Sequence, residues 1–524
     1  MVAVGALASR PSATGEVDID LATALAWTAE RYPDRRAVGG PHPVTYREWA
    51  GRVDGLAGSL HAAGVRPGDR VAYLLAGGEP LASLHLAAQR LGATSVPLST
   101  RLSPTDLGYC VADARPALLV TDEVSAPVAD RADLAVTRRD VGELSPVGSA
   151  GPLPPAPDET ATSVMLYTSG TTGRPKGVPR SHRAEHTAAV AHVIQTELRQ
   201  GERVLGVMPM FHTMGLRTLL ASIICGGTWV PQAGFDAAAS AQLIREEDVT
   251  ALYLVPTIFW SLLHHDGLAS CRGVQRIAYA GAPMTPALAD DLAEALRPGV
   301  FVNHYGSTEI YTFTISQDAG RRPGCAGRAG VFSRVRLIAP NADAAPGDLA
   351  KTGEIGQVIA SMDSPEAFAG YWNRPDADEK AIRDGWYYTG DLAVQDELGD
   401  VWVSGRVDDM INSGGENVYP DVIEAALTRS DAVSDVCVVG MPDDRWGSAV
   451  TAFVVPPPGV TPEAALREVA RFVVSGSGLA SLQRPKRLIA VPEIPRSAVG
   501  KTLRRTLPAG EYTALAELEL GRPS

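Results

Sequence analysis

The stretch YTSGTTGRPKGV, Tyr167 to Val178, decides how this chain is read. It sets Thr168, Ser169, Thr171 and Thr172 among Gly170, Gly173 and Gly177, and supplies one cation, Lys176. Hydroxyls, unobstructed backbone amides and an ammonium group are the equipment for holding phosphate. An apolar strand, SVMLYTS (Ser163 to Ser169), leads into the stretch. The Walker pattern G-x-x-x-x-G-K-[ST] is absent: Pro175 precedes Lys176 and Gly177 follows it, so the lysine cannot open a helix as a P-loop lysine does. Three glycines with four hydroxyls exceed what a simple turn requires. The alternative is a mobile loop that closes over a triphosphate.

Upstream, helical patterns such as TYREWAGRVDGLAGSLHAAG alternate with short apolar strands, RVAYLLA and TSVPL, from Asp18 to about Ala114. That alternation predicts α/β structure with a largely parallel sheet. The Pro/Gly-rich run Ser145 to Glu159 connects it to the strand before the loop. Downstream, RVLGVMPM, TALYLVPT and QRIAYAGA read as buried strands of a second α/β region. From about Ala326 to Val403 short strands and turns predict a small β unit. After Arg406 the helices PDVIEAALTRS and TPEAALREVARFVV alternate with the strands VSDVCVVGMP and SAVTAFVVPP. Thr461 and Pro462 read as an N-cap followed by proline at the first helical position.

At 524 residues the chain exceeds a single core, and about three or four domains or subdomains are expected. The net charge of −13 argues against non-specific nucleic-acid binding, which relies on a basic face. Five scattered cysteines without C-x-x-C speak against a zinc site or disulfide framework, and a reducing cytoplasm is the default. The N-terminal residues lack the basic start of a signal peptide. The apolar stretch Leu219 to Val230 falls short of the roughly 18 residues a membrane helix needs. Lysine is scarce: Lys176, Lys351, Lys380, Lys486 and Lys501 stand against a background of arginine, which makes each a better functional candidate than usual.

Four further segments follow the Gly-rich loop: YGSTE (Tyr305 to Glu309), YYTGD (Tyr387 to Asp391), GRVDDMINSGGENVYP (Gly405 to Pro420) and RSAVGKTLRR (Arg496 to Arg505). In this order they resemble the acyl-adenylating superfamily of acyl-CoA synthetases, peptide-synthetase adenylation domains and luciferases, and the resemblance covers nearly the whole chain. MPMFHTMG, AGVFSRVRLI, DDRWGSAV and LQRPKRL are most similar to aryl-CoA ligases of the 4-chlorobenzoate type. The resemblance implies a large N-terminal domain of α/β subdomains with an added β-barrel subdomain, residues 1–407, and a small mobile α+β domain, residues 408–524, hinged near Asp408. It also implies ATP and Mg2+ as requirements, a small-molecule carboxylic acid as substrate and coenzyme A as co-substrate. A homodimer is left open, and no membrane span or nucleic-acid partner is expected.

Roles follow the same resemblance. Thr168, Ser169, Gly170, Thr171, Thr172, Gly173 and Lys176 would contact the β- and γ-phosphates. Thr308 would hold the α-phosphate and Glu309 the Mg2+. Tyr305 and the Ala280–Gly281–Ala282–Pro283 backbone would flank the adenine, and Asn303 and Gly306 would also belong to the nucleotide site. Asp391, helped by Arg406, would bind the ribose. Lys501 would bridge the substrate carboxylate and the α-phosphate, until rotation at Asp408 replaces it with the SGGEN segment. Gly414 and Gly415 would then line a pantetheine tunnel, Trp446 would pack against its arm, and Arg484, Lys486 and Arg487 would hold the nucleotide phosphates of coenzyme A. Asn412 and Arg496 stand where many relatives carry lysine, and neither change removes a required group.

His212, Thr213, Met214, Val255, Ala280 to Ala282, Gly306, Tyr311 and Thr312 would line the acyl pocket. His212 occupies the place where peptide-synthetase domains carry the aspartate that pairs an α-ammonium, so an amino acid is not expected. The lining is small or apolar and suits an uncharged ring; Tyr311 would shorten the pocket or swing aside to bond a ring substituent. The leading expectation is an aryl- or cyclic-acid–CoA ligase. The alternative is a stand-alone adenylating enzyme for a bulky natural-product acid, passing the acyl group to a carrier protein or separate partner. A catalytically silent nucleotide binder is a third reading, opposed by the presence of Lys176, Glu309, Asp391 and Lys501.

Overall fold

The structure, a computed structural model, describes residues 21–146, 157–168 and 174–520, apart from 266–267, 269–270, 272, 342, 414–415, 444–445, 482 and 497–501. Two compact units divide the chain: Met1–Val335 with Ile359–Tyr388, and Arg336–Val358 with Thr389–Ser524.

The first unit holds the alternation read from the sequence. One sheet has the order Arg138–Asp140, Leu118–Thr121, Arg70–Leu74, Thr94–Pro97, Thr162–Thr168, Lys176–Ser181. Its strands run parallel except the last, which is antiparallel to its neighbour. Buried apolar runs such as RVAYL and TSVP fit strands covered on both faces. The helices Tyr46–Ala62 and Glu79–Leu91 supply one cover, and Trp49 and Leu60 of the first are fully buried. Thr45 starts the first helix with a capping box: its hydroxyl accepts from the Glu48 amide, and Glu48 accepts from the Thr45 amide.

The second sheet of this unit runs Cys325–Ala329, Thr314–Ser316, Val300–Tyr305, Arg276–Tyr279, Ala251–Leu254, Arg203–Gly206, Thr228–Pro231, Arg36–Val38, Val44–Thr45. From Val300–Tyr305 to Arg36–Val38 every pairing is parallel. The apolar stretch at Leu219 to Val230 is the end of the helix Thr213–Ile224 and most of the strand Thr228–Pro231, which is buried core. Among the described residues no helix is long and apolar enough to cross a membrane.

In the second unit an antiparallel pair, Asp435–Asp443 with Gly447–Val455, continues through Arg487–Ala490, parallel, to Ala516–Glu519, antiparallel. The helices Pro420–Leu427 and Pro462–Ser475 bury Ile423, Leu427, Leu466 and Val469 with Val438, Val450 and Leu488. Thr461 caps the second helix through the Ala464 amide, with Pro462 at its first turn. The stretch from about Ala326 to Val403, read as β, contains the short strands Val335–Ile338, Ile355–Ser361 and Trp386–Gln395 and the start of Val401–Arg406, with a short helix, Pro375–Ala381, between them.

Candidate active site

In an open parallel sheet, ligands gather outside the carboxyl ends of the strands. Four adjacent strands of the second sheet end on predicted site segments. Arg203–Gly206 leads to His212, Ala251–Leu254 to Val255, Arg276–Tyr279 to the Ala280–Pro283 segment, and Val300–Tyr305 to Gly306–Glu309. His212 sits just before the helix Thr213–Ile224, with its ring 5.0 Å from that of Phe211. Gly281 has φ +86°, and a Cβ there would stand 3.3 Å from Val255 Cγ1. Asn303 is turned inward, donating from Nδ2 to Cys325 O at 2.8 Å, and Tyr305 packs edge-on to Phe313.

The Gly-rich loop joins two antiparallel strands. Thr168 closes Thr162–Thr168, Lys176 opens Lys176–Ser181, and the two are register partners. The lysine thus begins a strand, as the sequence requires of a loop unlike the Walker type. Ser169, Gly170, Thr171, Thr172 and Gly173 lie outside the described residues.

Lys176 and Glu309, far apart in sequence, both contact Tyr371. Lys176 Nζ stands 4.1 Å from the centroid of the Tyr371 ring. The Tyr371 hydroxyl donates to Glu309 Oε1 at 2.6 Å. Burial, then the neighbouring Glu309 carboxylate, raises the Tyr371 phenol well above its ordinary range, so it stays a donor. The turn carrying Thr308 and Glu309 is closed by the Ser307 amide on Ile310 O at 3.0 Å, and by Ser307 Oγ accepting from the Glu309 amide. Gly306 lets the chain double back, since a Cβ there would stand 2.0 Å from Tyr311 O. Tyr371 was not singled out in the sequence; AGYWNRP, a glycine and two aromatics before a turn, was its only local signal.

Tyr311 and Thr312 lie in a buried polar cluster. The Tyr311 hydroxyl bonds Glu185 Oε2 at 3.2 Å, and its ring carries the Arg180 guanidinium at 3.6 Å and that of Arg217 at 5.0 Å. Arg217 donates to Thr312 Oγ1 at 3.1 Å and stands 3.5 Å from Glu366. Burial raises the Glu366 carboxyl, against the pull of Arg217 and Arg180.

In the second unit Asp391 and Arg406 are register partners joined by an ion pair of 2.5 Å. Trp446 and Lys486 come together, with Nζ 5.4 Å from the ring centroid. Arg484 Nε donates to Leu479 O at 3.2 Å and Arg487 stands 3.6 Å from Glu519. Asp408 lies in the short helix Val407–Asp409, 3.9 Å from Arg505. Gly414, Gly415 and Lys501 lie outside the described residues. Beside Lys501 in sequence, Arg504 binds Asp409, Asp421 and Glu424 together, a cluster the sequence did not announce.

A carboxylate with hydroxyl oxygens is a donor set of the kind that suits a hard cation. Glu309 offers one carboxylate with hydroxyl oxygens nearby in sequence, and among the described residues no three His, Cys, Asp or Glu gather as a metal cage.

Residues 25–372 match the AMP-binding enzyme family, and residues 422–501 match the AMP-binding enzyme C-terminal domain. The chain belongs to that family. It is an enzyme of the AMP-forming acyl-CoA synthetase kind. It is 34% identical to a 4-chlorobenzoate–CoA ligase of Arthrobacter sp. over 92% of this chain and 94% of that one. It is also 34% identical to the long-chain-fatty-acid–CoA ligase FadD13 of Mycobacterium tuberculosis, over 88% and 92%. Among solved structures, the o-succinylbenzoate CoA synthetase of Bacillus subtilis with its acyl-adenylate intermediate superposes with a TM-score of 0.83 at 28% identity, over 92% of this chain and 97% of that one.

Proposed function

We propose that this enzyme joins an uncharged, ring-bearing carboxylic acid to coenzyme A through an acyl-adenylate, using ATP and Mg2+. The observation that carries the reading is the contact of both Lys176 and Glu309 with Tyr371, which brings a cation and a carboxylate to one phenol.

In the first half-reaction a carboxylate oxygen of the acid attacks the α-phosphorus of ATP, and the bond to pyrophosphate breaks. Lys176 and the loop hydroxyls hold the departing phosphates, Thr308 holds the α-phosphate, and Glu309 is the metal carboxylate. Magnesium, when bound, spreads the charge that builds on the phosphate oxygens. Lys501 holds the substrate carboxylate in line, and Asp391 with Arg406 holds the ribose. Catalysis is then positioning and charge stabilisation, without a nucleophilic side chain. In the second half-reaction the thiolate of coenzyme A attacks the acyl carbonyl carbon and AMP leaves. Rotation at a hinge near Asp408, between residues 1–407 and 408–524, would exchange Lys501 for Gly414 and Gly415, with Trp446, Arg484, Lys486 and Arg487 on the coenzyme.

Support for a ring comes from the small residues at Ala280, Gly281 and Ala282, from Val255 beside them, and from the absence of an acidic residue next to Phe211. The relatives named above act on a chlorinated benzoate and on long-chain fatty acids, so the acid is decided by assay. Pyrophosphate release is measured with benzoate, substituted benzoates, alicyclic acids, acetate and dodecanoate, each with and without coenzyme A. Ring acids should lead, with AMP and a thioester appearing only when coenzyme A is present. A clear win for acetate or dodecanoate refutes the ring reading. Adenylation only of large polycyclic acids, without thioester formation, favours instead a stand-alone adenylating enzyme that hands the acyl group to a carrier protein or separate partner.

A further inference from the structure

The strand Lys176–Ser181 directs residues 176, 178 and 180 to one face, because side chains alternate along a strand. Lys176 lies at its start, against Tyr371. Val178, fully buried, packs in the apolar cluster of Ile310, Phe313, Phe368 and Tyr371. Arg180, fully buried, sends Nη1 to two successive carbonyls, Thr308 O at 3.1 Å and Glu309 O at 3.2 Å. Its Nε donates to Glu185, which is also buried and takes the Tyr311 hydroxyl on its other oxygen.

A buried guanidinium is costly unless paired, and an apolar side chain would fill the same volume at lower cost. Glu185 neutralises the charge but does not explain the direction of the fork. The Nη1 contacts do: they hold the backbone of the residues assigned to the α-phosphate and the metal. Resting on the reading under Proposed function, we infer that Arg180 is a positioning residue for Thr308 and Glu309, tying their turn to the strand that carries Lys176. The two halves of the polyphosphate site are thereby set by one strand face, so the spacing between the lysine ammonium and the metal carboxylate is fixed before ATP arrives.

The test uses two variants of the full chain. Arg180→Lys keeps the charge, but its single nitrogen cannot serve at once the carboxylate that Nε holds and the two carbonyls that Nη1 reaches. Arg180→Met with Glu185→Gln removes both charges together, so neither is left buried alone. Both are compared with wild type in pyrophosphate release, in thioester formation from supplied acyl-adenylate, and in calorimetric ATP binding with Mg2+ or with EDTA. The expected result is a fall in adenylation kcat of about ten- to a hundredfold, as for a misplaced reacting group. Thioester formation from supplied acyl-adenylate should fall several-fold less than adenylation, since it uses the Thr308 contact to the α-phosphate but not the metal carboxylate Glu309. The gain in ATP affinity that Mg2+ gives wild type should be largely lost, with Arg180→Lys less affected than the double variant. Equal losses in both half-reactions, an unchanged magnesium effect on ATP binding in either variant, or no such effect in wild type overturns the assignment. If the double variant does not fold, Arg180→Lys decides alone. A wild type that releases no pyrophosphate with any acid refutes the acid-ligase reading instead, and the calorimetry still judges Arg180.

Discussion

Replacing Gly306 by alanine tests whether the turn after the strand Val300–Tyr305 sets the reaction geometry. The added Cβ would lie 2.0 Å from Tyr311 O and 2.6 Å from its carbonyl carbon, both backbone atoms that no rotamer change can move. Reaching the 3.4 Å of ordinary contact requires an opening of about 1.4 Å in the segment that includes Thr308 and Glu309. Overpacking of this kind costs on the order of 1–3 kcal/mol in stability, which a unit of this size survives. Its effect on rate is larger, since misplacing reacting groups by about 1 Å costs on the order of a hundredfold. The assay is acid-dependent pyrophosphate release beside a thermal melt. Gly51→Ala is the control: it lies within the helix Tyr46–Ala62 with nothing within 4 Å of its Cβ position. That change should leave turnover alone and stabilise by about 0.5–1 kcal/mol. Wild-type kcat and KM values in Gly306→Ala would show that the turn does not place the reacting groups.

The other predictions divide the chemistry. Lys501→Ala should lower adenylation by roughly a hundredfold or more, through loss of one cation at developing charge; thioester formation from supplied acyl-adenylate should persist, and equal damage to both steps refutes the assigned role. Trp446→Ala should do the converse, slowing coenzyme A capture while pyrophosphate release continues; loss of adenylation first would place Trp446 elsewhere. Asp421 shares Arg504 with Glu424 and Asp409, and burial, opposed by Arg504 and aided by the two carboxylates, pushes it up to about 7. The folded chain therefore keeps a proton that an unfolded carboxyl near 4 releases, and stability falls as pH rises from about 4 to about 7. Asp421→Asn should flatten the melting temperature across that window, and an unaltered slope would exclude Asp421 as its source.

What could be read from the sequence was local. The Gly-rich loop, the Thr461 cap and the parallel strands each carry their signal within about ten residues, and motif order supplied the rest of the assignments. What could not be read were contacts closed by the fold. Arg180 reaches Glu309 across 129 positions, Tyr371 reaches it across 62, and Arg504 reaches Glu424 across 80. In a chain where nearly all basic residues are arginine, a buried arginine looks like any other. The attention given to lysine was selective in its return: Lys176 and Lys486 meet aromatic rings, whereas Lys351 is an exposed partner of Glu354. Among the described residues, Arg180, Arg217 and Arg276 are the buried cations. A signal for Arg180 existed in PRSHRAEH, where an acid follows the arginine by five residues, but only the backbone shows that strand and helix bring the two together.

The same buried cluster bears on the acid. The sequence left Tyr311 two behaviours, shortening the acyl pocket or swinging aside for a ring substituent. Swinging aside would break its hydrogen bond to Glu185, worth about 1.5–3 kcal/mol for a charged acceptor. It would also withdraw the ring from two guanidinium groups, at roughly 0.5–2 kcal/mol each. A substrate hydroxyl forming one new bond returns only part of that. On the reading that places Tyr311 at the acyl group, it is therefore a fixed wall, and what varies is the part of the pocket in front of it. Such a wall favours compact acids over chains that must extend past it, which is why dodecanoate is the sharpest competitor in the acid panel: its activation would mean that Tyr311 yields, or stands elsewhere than at the end of the acyl group.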